Sequence, residues 1–122
     1  MGASGPLRGA AIVPRRSTRD PLYGMNELER LQAWYLAHCD GEWEHTFGVS
    51  IDTLDNPGWI VDIDLTGTSL ASRPFVAVAR GMEPNETDWV SCKVESAKFQ
   101  GAGGASNLAE ILGIFLDWAE QP

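Results

Sequence analysis

A change of hydrophobic period to two, beginning at His45, constrains this chain more than any other feature. Phe47, Val49 and Ile51 alternate with Thr46, Ser50 and Asp52, and then Trp59, Val61, Ile63 and Leu65 alternate with Ile60, Asp62, Asp64 and Thr66. Alternation of this kind describes half-buried strands. Between the two runs stands Asp55-Asn56-Pro57-Gly58. Proline presets one turn position and glycine accepts a positive φ at the next, so the runs are predicted to form a hairpin. Placing both apolar sets on one face requires the numbers of facing residues to sum to an even value, for example 114. In that register Asp52 faces Asp62, and Asp64 lies diagonally from Asp52.

The flanking sequence completes an α+β fold. Asn26 followed by Glu29 is a capping-box pattern, and Leu28, Leu31, Tyr35 and Cys39 then recur at helical spacing with Trp34 beside them, until Asp40-Gly41 stops the run. Further strands are predicted at Phe75 to Arg80 and at Trp89 to Glu95, separated by the polar turn Glu83-Pro84-Asn85-Glu86. Gly101-Ala102-Gly103-Gly104-Ala105 reads as a flexible loop. Asn107 with Glu110 then opens a second helix carrying Leu108, Ile111, Leu112, Phe115 and Trp118. The order is helix, four strands, helix. The expected architecture is a four-stranded antiparallel meander with both helices on one face.

With 122 residues, 43% of them hydrophobic, the chain has material for one domain. Nine Lys and Arg against 17 Asp and Glu give a net charge of −8, which argues against a nucleic-acid partner held through its phosphates. No apolar run reaches the roughly 18 residues of a membrane-spanning helix, so no membrane partner is expected. Gly2 alone matches a myristoylation start, because Pro6 stands where Ser or Thr is wanted. Two cysteines, Cys39 and Cys92, are too few for a disulfide scaffold and read as reduced thiols of a cytoplasmic protein.

Residues 1–24 differ in kind from the rest. They hold four arginines against Asp20, or +3, which leaves −11 on the remaining 98 residues. Their composition suggests a disordered arm, either an extension ahead of a start at Met25 or a basic segment that folds back on the acidic body. Residues 25–122 are then the single α+β domain.

Chemistry-bearing residues concentrate in His38-Cys39-Asp40-Gly41-Glu42-Trp43-Glu44-His45. A zinc set of His38, Cys39, His45 and Cys92 is one reading, and a small enzyme centred on His38, Cys39, Glu44 and His45 is another. Against the first, structural zinc ligands come in closely spaced pairs. Against the second, Asp40, Glu42 and Glu44 would raise the pKa of Cys39, and Glu44 and His45, if on a strand, point to opposite faces. The simpler reading makes Cys39 a small core residue, Gly41 the helix stop, and Trp43 a side chain packed under the turn. The hairpin's Asp52, Asp62 and Asp64, with Asp55 at the tip, form a negative stripe that strand propensity does not explain. It is either a solvated face or a docking surface for a cationic protein, with a divalent-cation site as a third possibility.

The stretch Trp34-Tyr35 through Cys39-Asp40-Gly41, Trp43-Glu44-His45, and the turn Thr53-Leu54-Asp55-Asn56-Pro57-Gly58-Trp59, resembles the immunity protein 53 family of bacterial polymorphic toxin systems. The likeness starts near Leu28 and loosens through the second helix. It implies a small antitoxin that binds a cognate toxin domain encoded by a neighbouring gene, with no catalysis and no cofactor. A basic nuclease toxin would suit the −11 body. From the residues, the expected partner surface comprises Asp40, Glu42, Trp43, Glu44, His45, Asp52, Asp55, Asp62 and Asp64, with Trp43 and Trp59 as apolar anchors if exposed.

Overall fold

The computed structural model describes residues 24–122, so the readings of the basic arm lie outside the described residues. Helix α1 spans Glu27–His38 and opens on a full capping box: the Asn26 side chain accepts from the Glu29 N–H at 2.8 Å, and Glu29 accepts from the Asn26 N–H at 3.0 Å. A single turn, α2 (Trp43–Thr46), follows. Strands β1 (Val49–Leu54), β2 (Gly58–Asp64), β3 (Val78–Arg80), β4 (Val90–Glu95) and β5 (Lys98–Gly104) precede α3 (Leu108–Ala119).

The fold is α+β, as expected, but its sheet has five strands in the order β1-β2-β5-β4-β3, with every pairing antiparallel. The fifth strand is the glycine-rich stretch expected to be a flexible loop. Ser96 and Ala97 both adopt left-handed backbone, φ 55° and 56°, between the paired residues Glu95 and Lys98. This is the two-residue hairpin turn whose twist suits antiparallel strands. It folds β5 back into the gap between β4 and β2, so the simple meander is replaced by a sheet whose last strand is central.

Two further expectations change at the first hairpin. Its parity holds, but Val49 faces Ile63 and Asp52 faces Ile60, so facing numbers sum to 112 and Asp62 lies opposite Ser50. Gly58 is the first residue of β2, without a positive φ. Its glycine is required by close approach, since a Cβ there would lie 2.5 Å from the Gly103 carbonyl oxygen of β5.

Val61, Ile63, Cys92 and Phe99 bring one sheet face to α3, whose Ile111, Leu112, Phe115 and Leu116 are buried against it. Helix α1 packs on α3, contributing Leu31 and setting Trp34 edge-on to Phe115 with ring centroids 5.1 Å apart. Arg30 fixes the pair by donating to Asp117 at 2.9 Å and Glu120 at 2.7 Å. At the start of α3, Asn107 makes no side-chain cap bond. Its Nδ2 donates instead to Asp88 and Glu110, which also receive Arg80. The chain between β2 and β3 is anchored by buried Leu65 and Leu70 and by Phe75, packed edge-on against Phe99 and Trp118. The third strand is therefore shorter than expected, because Phe75 turns into the core before Val78 begins pairing.

Candidate functional site

The α1–α2 corner is built by carboxylates that hold backbone. Asp40 accepts from the N–H groups of Glu42 and Trp43, each at 2.9 Å, and Glu44 accepts from those of Asp40 and Gly41 at 2.9 and 2.8 Å. Gly41, at φ 94°, makes the sharp reversal between them possible. Asp40 is held below the usual carboxylate range by the Trp43 and then the Glu42 N–H, and Glu44 by its own N–H ahead of those of Asp40 and Gly41. A carboxylate whose folded pKa is depressed stabilises the fold fully above its unfolded value, about 4, and ceases to do so as pH falls through the folded value. Thermal stability is therefore expected to decline below about pH 4.5. In Asp40→Asn/Glu44→Gln that acid decline should be shallower; a melting-temperature profile parallel to the parent's would show that the corner contributes nothing.

Trp43 is buried beneath this corner, and its Nε1 donates to the Thr66 carbonyl at 2.8 Å. It is not available as an exposed anchor. Trp59 is half-buried at the margin of the core, with its indole N–H donating to Ala105 at 2.9 Å. Glu44 and His45 sit on a helical turn, not on a strand, because β1 begins only at Val49.

The proposed metal ligands do not converge. His38 donates through Nδ1 to the Trp34 carbonyl at 2.8 Å and leans on the Trp34 ring. Cys39 is not in the core as expected; it is partly exposed and donates to the Tyr35 carbonyl at 3.3 Å. Cys92 lies in the core, where burial pushes its thiol up to about 11. Among the described residues no three His, Cys, Asp or Glu are gathered as a metal site requires.

Asp52 and Asp62 are diagonal neighbours on the face of the hairpin turned away from α1 and α3, with Asp64 next along β2. The stripe does not extend across the whole sheet. Lys98 of β5 stands opposite Asp64, Nζ to Oδ1 3.6 Å, and Lys93 of β4 pairs with Glu95 at 2.9 Å. Asp64 also accepts from the Gly48 N–H at 3.0 Å. Asp52 and Asp62, with Asp55 in the turn and Glu42 and His45 at the corner, keep their charged or polar ends toward solvent. From Leu31 to Ser72 the chain carries seven Asp and Glu and no Lys or Arg, and among the described residues only Asp64 of the seven meets a cation, Lys98, so the end of the fold built from α2, β1 and β2 is anionic.

Residues 28–120 match the family model for immunity protein 53, which takes in α1 from Leu28, the corner, every strand and α3. The chain belongs to the immunity protein 53 family. Membership gives it an immunity-protein role, and such proteins work by binding a cognate toxin. No curated protein and no solved structure matches the chain. Within this immunity protein 53 domain no helix among the described residues is long and apolar enough to cross a membrane.

Some surface features were missed in the sequence. The apolar stripe of α1 divides: Leu31 and Trp34 turn inward, while Leu28 and Leu36 are 58% and 72% exposed. Ile51 has the parity of the buried face, yet it is 37% exposed because β1 is the outermost strand. Strand order decides this exposure, and no local signal encodes it.

Proposed function

We propose that this protein neutralises a toxin domain encoded by a neighbouring gene, binding it in the bacterial cytoplasm and occluding it without catalysis, and that the anionic end of the fold meets a cationic toxin surface. The observation that carries this reading is the block of seven carboxylates without a single Lys or Arg between Leu31 and Ser72, inside a domain of an immunity family. Complementary charge speeds encounter and rejects wrong partners more than it deepens affinity. Asp52, Asp55, Asp62, Glu42 and His45 are the members that present this charge and polarity. Asp40 and Glu44 shape the corner, and Trp43 supports it from beneath.

A basic nuclease is the toxin class that suits such a surface, since a groove made for phosphates is cationic. Co-expression of the full chain with the neighbouring toxin domain should rescue growth and yield a complex. Asp52→Asn/Asp62→Asn should weaken that complex by about 1–2 kcal/mol, roughly tenfold, and flatten its dependence on salt. Unchanged affinity and salt slope in a folded double variant would move the interface off this face.

A further inference from the structure

Among the described residues the outer edge of β1 is an open strand edge, and we propose that the cognate toxin docks there by adding an extended, basic segment as a sixth strand, its alternate apolar side chains lying in the groove between β1 and α1. This rests on the reading of the protein as a toxin binder and specifies how it binds.

Backbone geometry defines the edge. Asp64 donates to the Gly48 carbonyl at 3.0 Å, so in this antiparallel ladder the even residues of β1 exchange bonds with β2 and the odd ones point away from it. The Thr53 N–H is already taken by the Asp52 side chain at 2.9 Å. Among the described residues nothing pairs with the N–H and C=O groups of Val49 and Ile51. Native edges are usually blunted by lysine, proline, a bulge or a covering element. Val49-Ser50-Ile51-Asp52-Thr53-Leu54 has no lysine or proline and runs in unbroken register.

The side chains beside this edge suit an apolar, alternating guest. A groove of about 290 Å³ opens between α1 and β1, lined by Leu31, Gln32, Tyr35, Gly48 and Val49. Exposed Ile51 and Leu28 carry apolar surface beyond it. A strand added to the edge would turn every second side chain to the α1 side of the sheet, where this groove lies at the start of β1.

Charge selects the guest. Asp52 lies on the edge strand and Asp55 just past it, and no Lys or Arg occurs on α1 beyond Arg30, on α2, or on β1 or β2. Arg30 itself is bound to Asp117 and Glu120. A second copy of this chain would bring two such anionic ends together, which like-charge repulsion opposes. The basic arm lies outside the family match of residues 28–120, whereas β1 and α1 from Leu28 lie within it. A surface serving the family's shared function belongs in the matched part.

Amide hydrogen exchange on the full chain, with and without the toxin domain encoded beside it, tests the proposal. In the free chain the Val49 and Ile51 amides should exchange quickly while those of Ser50 and Asp52, bonded to β2, are protected; toxin should slow the first pair. Ile51→Pro removes an outward N–H without touching the β2 ladder, and Tyr35→Ala opens the groove wall. Each should weaken the complex at least about tenfold. Should Ile51→Pro not fold, the exchange result on the parent chain still decides. Val49 and Ile51 amides already slow in the free chain would overturn the proposal: slowing that grows with concentration would indicate a second copy, and slowing independent of it the chain's own arm. A stable complex that leaves both amides fast would also overturn it, with neutralisation itself intact. Absence of any complex or rescue would instead refute the toxin-binding reading.

Discussion

Trp43→Ala is expected to lower the unfolding free energy by about 3–5 kcal/mol, the usual cost of emptying a large buried aromatic site. Trp43 is 7% exposed, and its ring lies within 5.7–6.2 Å, centroid to centroid, of Trp34, Tyr35, His38 and Phe47. It therefore ties α1, the α2 turn and the chain entering β1 together. Through its bond to the Thr66 carbonyl it also holds the chain leaving β2, where Gly67, at φ 81°, passes the ring at a distance that a Cβ would reduce to 3.3 Å. Small domains have only about 5–15 kcal/mol in hand, so the variant should be marginal at growth temperature. Trp43→Phe keeps part of the packing but strands the Thr66 acceptor, for a smaller cost of about 1–3 kcal/mol. Urea denaturation measures both. Affinity for the toxin, corrected for the folded fraction, should change little; near-parental stability combined with lost binding would instead make Trp43 a contact residue.

The contrast between Trp43 and the hairpin carboxylates shows how much of the site could be read from residues alone. Capping at Asn26, the turn at Asp55 to Pro57 and the face shared by Val61 and Ile63 are local or parity properties, and all were legible. The motif block around Trp43 was legible as a family mark, and the simpler reading puts this tryptophan under its turn, but a tryptophan between two glutamates also suits an exposed anchor. Only the Thr66 carbonyl, 23 residues away in sequence, settles that. The acidic stripe was legible as Asp52, Asp62 and Asp64, yet its neutralisation at one end depends on Lys98, which strand order brings opposite Asp64. That order hinged on a turn of Ser96 and Ala97, which lacks the Asn-Gly signature that marks such turns in sequence.

The glycines of β5 lead to the second large effect. A run such as Gly101-Ala102-Gly103-Gly104 costs backbone entropy in a strand, so each glycine implies a close neighbour. A Cβ on Gly101 would lie 2.5 Å from Cγ2 of Ile111 and 3.0 Å from the Phe99 ring, which means α3 sits on β5 at a spacing only glycine permits. On Gly104 a Cβ would run into the Thr87 carbonyl oxygen and approach the Asn107 side chain to 2.8 Å. Overpacking of a tight core costs about 1–3 kcal/mol, and more where the obstacle is backbone that cannot rotate away. Gly104→Ala is therefore expected to destabilise by about 3 kcal/mol and Gly101→Ala by about 2 kcal/mol. The two should differ in rescue. Ile111→Leu removes the branch methyl that meets position 101, so the double variant Gly101→Ala/Ile111→Leu should recover part of the loss, whereas Gly104→Ala/Ile111→Leu should show additive costs. A double-mutant cycle by urea denaturation would read this directly: full additivity at position 101 would mean that the helix is not held against the strand at that contact, and that the glycines of β5 serve something other than the approach of α3.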